Sequence, residues 1–68
     1  MINNIREKRQ ELGLTQQDLA RLVGVSRQTI NAIETGKFDP SLSLAFKLSG
    51  VFKEPVEALF KPTQINPS

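Results

Sequence analysis

Between Gln16 and Thr35, two short amphipathic segments are separated only by Gly24-Val25 and Ser26, and this spacing limits the fold more than any other feature of the chain. A helix that stops at a glycine and gives way two residues later to a serine-capped helix must turn a tight corner. The glycine takes positive φ, and the serine hydroxyl accepts a first-turn amide of the next helix. Ala20, one turn before the glycine, lets two helix backbones cross closely, and Leu19, Ile30 and Ile33 fill the angle between them. Any small helical bundle can contain such a corner, so the residues facing outward from it must say more.

Further turn signals at Gly13, Gly36, Asp39-Pro40, Glu54-Pro55 and Pro62 cut the chain into five helical segments, and none reads as a strand. The first, about 4–12, has an asparagine at its start, Ile5, Arg9 and Leu12 on one stripe, and Gly13 where a left-handed cap would sit. The second is capped by Thr15, with Asp18 at its positive end, and carries Leu19, Leu22 and Val23 inward. The third runs from cap Ser26 to a stop at Gly36. Ser41 caps a fourth with Leu44, Ala45, Leu48, Ser49 and Phe52 on one face, and Pro55 suits the first position of a short fifth offering Val56, Leu59 and Phe60. Phe52 is expected in the core; Phe38 and Phe46 belong either to the core or to a surface that anchors a partner subunit. The expected domain is 1–61, followed by a frayed tail at 62–68 that has two prolines and no periodicity.

Sixty-eight residues, 38% of them hydrophobic, supply one small core, and a core of this size gains from dimerisation. With neither cysteine nor histidine, the chain has no disulfide, thiolate nucleophile or Ser-His-Asp triad, and almost every zinc geometry is closed to it. An enzyme is therefore not expected, nor a cofactor, a metal or a small-molecule substrate. No apolar run approaches the roughly 20 residues of a membrane span, so a soluble, cytoplasmic protein is expected. A formal charge of +2 decides nothing about partners.

With Ile30 and Ile33 inward and about 100° per residue, Gln28, Ala32 and Thr35 fall on the opposite face of the third segment, flanked by Thr29 and Asn31. That face is amide-rich and lacks the ladder of opposite charges common on plain surface helices. It is either a solvated polar face or a surface for base edges. Gln or Asn can pair with adenine through two hydrogen bonds, Arg27 can reach a guanine, and the methyls of Thr29 or Ala32 can touch that of thymine.

The stretch LTQQDLARLVGVSRQTINAIETGK, residues 14–37, resembles the helix-turn-helix of Xre/Cro-type, lambda-repressor-like regulators, and PSLSLAFKLSGVFKEPVEALF at 40–60 resembles the last two helices of their short stand-alone members. The resemblance implies an all-α, five-helix DNA-binding domain with the helix 26–35 in the major groove. It implies base contacts for Arg27, Gln28 and Asn31, and phosphate contacts for Thr29, Thr35 and Lys37. Gln16 either meets a phosphate or supports Gln28. Arg9 and Glu34 match a partly buried ion pair that ties the first helix to the recognition helix. Arg6, Lys8 and Arg21 either face phosphate or sit on a solvated surface. Two departures stand out. Ala32 replaces a longer polar residue, which shifts weight to DNA shape, and Lys53-Glu54 replace what is usually a glycine and an apolar residue.

The function these features imply is sequence-specific binding of double-stranded DNA by a homodimeric transcriptional regulator, most simply a repressor, at a pseudo-palindromic operator with half-sites roughly 34 Å apart or a multiple of that. The alternative is a protein-interaction module, such as an antitoxin or controller partner, that keeps the fold with weak or no DNA binding.

Overall fold

Hydroxyl caps start the three central helices. Thr15, Ser26 and Ser41 each hold an extended backbone and accept a hydrogen bond from the amide three residues on, at Asp18, Thr29 and Leu44. A computed structural model describes residues 1–61 of the chain, and the expected tail at 62–68 lies outside the described residues. In it α1 (Ile5–Glu11), α2 (Gln16–Val23), α3 (Arg27–Glu34), α4 (Leu42–Phe52) and α5 (Val56–Leu59) enclose one core. Ile5, Leu19, Ile30, Ile33, Leu48 and Leu59 are its largest fully buried side chains, with Ala20, Val23, Leu44, Ala45 and Phe60 beside them. α2 packs on α3 and α4, α1 on α3, and α4 on α5. The fold is all-α in its packing, and no helix among the described residues is long and apolar enough to cross a membrane.

Several expectations need correction. One extended pairing exists: β1 (Ile2–Asn3) runs antiparallel to β2 (Phe60–Lys61), with Ile2 opposite Lys61 and Asn3 opposite Phe60. Two residues are too few for an alternating pattern to register, and Phe60, expected on the fifth helix, is buried from this extended segment. Leu22 is 61% exposed, because the inward face of α2 is centred between Leu19, Ala20 and Val23, about 100° away from it. Leu12 is 54% exposed at the end of α1; it is Leu14 that folds back, half-buried, with its amide donating to the Arg9 carbonyl at 3.0 Å. Asn4 precedes α1 but makes no side-chain cap, and Asn3 Oδ1 instead accepts from the Ile5 amide at 3.1 Å. Pro55 is the extended residue before α5 rather than its first helical one. Phe52 is half-buried against the core, while Phe38 and Phe46 are exposed.

The Lys53-Glu54 corner between α4 and α5 shows how the departure from glycine is accommodated. Lys53 takes the left-handed conformation with φ 55 and ψ 42. The Glu54 amide donates to the Ser49 carbonyl, the Ser49 hydroxyl donates to the Glu54 carbonyl, and the Glu54 carboxylate lies 3.7 Å from Lys8 Nζ. A Cβ in this region crowds the following carbonyl, so replacing Lys53→Gly is expected to stabilise the protein by about 1 kcal/mol in chemical denaturation.

At the start of α2, Thr15 and Asp18 bond reciprocally: the Asp18 amide donates to Thr15 Oγ1 and the Thr15 amide donates to Asp18 Oδ2, each at 3.0 Å. Hydrogen bonding from the Thr15 amide, with a further contribution from its side chain, holds the Asp18 carboxyl below its usual value. A lowered folded-state pKa adds stability above the unfolded-state value and loses it as pH falls through the folded one. Melting curves of wild type and Asp18→Asn should therefore differ most at neutral pH and converge on acidification through the carboxylate range.

Candidate nucleic-acid interface

The corner between α2 and α3 is built from backbone. Gly24 takes φ 76 and ψ 34, and its amide and that of Val25 both donate to the Ala20 carbonyl, at 2.8 and 3.0 Å. Only a residue free of a Cβ penalty occupies that conformation cheaply, and Ala20, fully buried, allows the close approach that follows. Ile30 and Ile33 anchor α3 to the core, and Arg27, Gln28 and Asn31 face out from it.

Arg27, Gln28 and Asn31 are exposed along α3, as are Thr35 and Lys37 just beyond it, while Thr29 and Ala32 are half-buried. The Thr29 hydroxyl lies 3.0 Å from Ser26 Oγ within the cap. The Thr35 hydroxyl donates to the carbonyls of Asn31 and Ala32, so its proton is directed back into α3. No acidic residue stands in the first turn of α3, in contrast to Asp18 in α2, so its positive end is left for an anion. Lys8 faces Glu54 at 3.7 Å, while Arg6 and Arg21 are exposed.

Two features of this face were not readable from the sequence. The Lys37 and Phe38 amides both donate to the Ala32 carbonyl, which brings Phe38 against the outward side of α3, where it lines a hollow with Ser26, Gln28, Thr29 and Ala32. A neighbouring hollow is lined by Thr29, Phe38, Ser43 and Lys47, so Lys47 in the middle of α4 adds a cation beside α3. Helical periodicity along α3 does not place Phe38, Ser43 or Lys47 beside it, because the loop 37–41 decides which side of α3 they meet.

Behind the face lies a polar line. Arg9 donates from Nε to Glu34 Oε2 at 2.7 Å, from Nη2 to Oε1 at 3.2 Å, and from Nη1 to the Leu14 carbonyl at 2.8 Å. The Arg9 and Glu34 side chains are 11% and 3% exposed. Gln16 Nε2 donates to Glu34 Oε1 at 3.1 Å and to Asn31 Oδ1 at 3.2 Å, so within the protein its amide meets Asn31. Both its amide hydrogens are engaged there.

A helix-turn-helix family model matches residues 5–59. The chain belongs to this family, that of the Xre and lambda-repressor-like regulators. Over 60 residues the helix-turn-helix chain is 53% identical to an uncharacterized HTH-type transcriptional regulator of Methanocaldococcus jannaschii, covering 88% of this chain and 91% of that one. It is 43% identical over 60 residues to an uncharacterized HTH-type transcriptional regulator of Bacillus subtilis, with the same coverage of 88% and 91%. The crystal structure of a hypothetical transcription factor from Neisseria superposes with a TM-score of 0.74 at 27% identity, covering 81% of this chain and 62% of that chain. The family is one of DNA-binding transcriptional regulators rather than of enzymes.

Removing one partner of a buried ion pair strands the other charge. Glu34→Ala is expected to cost about 3–5 kcal/mol in chemical denaturation, and replacing Arg9→Met as well should recover much of that loss.

Proposed function

We propose that this helix-turn-helix protein binds duplex DNA sequence-specifically as a two-fold homodimer and acts as a transcriptional repressor, with α3 in the major groove. The observation that carries this reading is the shared exposure of Arg27, Gln28 and Asn31 on a helix whose opposite side is locked into the core by Ile30 and Ile33. A narrow rod with bidentate amide and guanidinium groups matches base edges in the groove. Arg27, Gln28 and Asn31 contact bases, Thr29, Thr35 and Lys37 contact phosphates, and Gln16 supports the base readers. Thr35 does so once its hydroxyl turns away from α3. One α3 spans too few base pairs for useful specificity, so two copies read a pseudo-palindromic operator.

A second reading, a protein-interaction module, draws on Leu42 and Phe46, one turn apart on α4 and 68% and 61% exposed. Selection of bound sequences from random duplex DNA separates the two. The wild type should enrich a motif, and Gln28→Ala should change the preferred base at one position by at least about fivefold. Lys37→Ala should weaken all sequences alike and lower the salt slope by about one. Failure of the wild type to enrich any motif at moderate salt would replace the regulator with the interaction module.

A further inference from the structure

The line from Arg9 to Asn31 runs from the interior to the outward face of α3, and its polarity is set at the inner end. A carboxylate only accepts hydrogen bonds, so Gln16 must turn its amide nitrogen toward Glu34, to which Nε2 donates at 3.1 Å. The second hydrogen on that nitrogen points to Asn31 at 3.2 Å. An amide nitrogen has no lone pair to receive it, so Asn31 turns its oxygen inward and its Nδ2 outward. The two ends of an amide are alike in shape, and here the chemistry of the chain of donors decides between them.

We propose that Gln16 is a positioning residue for base readout: it holds the Asn31 amide with its donor end exposed, and Asn31 thereby selects guanine over adenine. This rests on the reading of α3 as the groove-entering helix. An asparagine pairs with adenine by accepting from N6 through its oxygen and donating to N7 through its nitrogen. With Oδ1 already accepting from Gln16 and turned inward, that two-point match is lost. Guanine presents N7 and O6, both acceptors, to which the two Nδ2 hydrogens are suited. The Arg9–Glu34 pair thus does more than join two helices, since it fixes which end of Gln16 faces Asn31.

The test is selection from random duplex DNA with the wild type, Gln16→Ala, Gln16→Met and Asn31→Ala, each checked for helical content and melting temperature. Gln16→Met keeps the length of the side chain while removing its amide. Asn31→Ala should flatten the preference at one position, where the wild type favours guanine over adenine by at least about fivefold. Both Gln16 variants should free the Asn31 amide to turn over and move that position toward adenine by at least about fivefold, leaving the positions read by Arg27 and Gln28 unchanged. A purely structural Gln16 would weaken all sequences alike without altering the preferred base, and that result overturns the proposal. So does adenine at this position in the wild type. A motif in which Asn31→Ala flattens no position overturns the proposal while leaving DNA readout by α3 standing, and no motif at all overturns both.

Discussion

The Arg9 guanidinium is a charge that folding removes from water, and every donor it turns inward must find an acceptor. It finds them in three places at once: both oxygens of Glu34 and the carbonyl of Leu14. Those contacts join the middle of α1, the turn that leads to α2 and the last residue of α3. A pair this buried contributes little net stability over apolar residues of the same volume, because desolvation offsets the attraction. What it supplies is a single arrangement, since sliding α3 along its axis or rotating it would leave a fork and a carboxylate unmatched. The position of the exposed face follows from that constraint.

The corner adds the second constraint. Gly24 in the left-handed region lets α2 end in one residue, and a buried Ala20 brings the two backbones together, so α3 leaves the corner with its start uncovered. The Asn3 side chain fixes the other end by donating to the Ile33 carbonyl at 2.8 Å, and that residue belongs to the short terminal ladder with Phe60. α3 is thus held at both ends and along one side, by an ion pair, a backbone corner and a strand, leaving one stripe of side chains with solvent as their main neighbour. On the proposed reading, a helix so held loses little further freedom on entering the major groove.

Where a feature depends on neighbours within one turn, the sequence makes it legible. The three hydroxyl caps, the glycine after α2 and the inward isoleucines of α3 all follow local rules, and the structure has them where those rules put them. Leu22 and Leu12 went the other way because hydrophobic type alone does not locate the centre of a helix face, which here is set by Val23 and by the fold-back of Leu14. The terminal ladder joins residues nearly sixty positions apart through two pairs, and no local pattern registers it. The bond between Gln16 and Asn31 crosses fifteen positions and depends on the angle between α2 and α3, so spacing shows each residue but not their meeting. Phe38 is similar: its identity is plain, but its place beside Ala32 depends on how the loop after α3 turns.

The starts of α2 and α3 show stability and function pulling in different directions within one motif. Each has a hydroxyl cap followed by two long polar residues, Gln16-Gln17 in one and Arg27-Gln28 in the other. At the third position they part: α2 has Asp18, whose carboxylate closes a reciprocal cap, and α3 has Thr29, whose hydroxyl meets that of Ser26. An acidic residue at 29 would satisfy one more orphan amide and complement the helix dipole, so on folding grounds alone it is the better choice. On the proposed reading it would also place a negative charge at the end of the helix that approaches phosphates, where it would repel them. The neutral cap on α3 gives up a few tenths of a kcal/mol of helix stability to keep that end positive, while α2 keeps the full capping box.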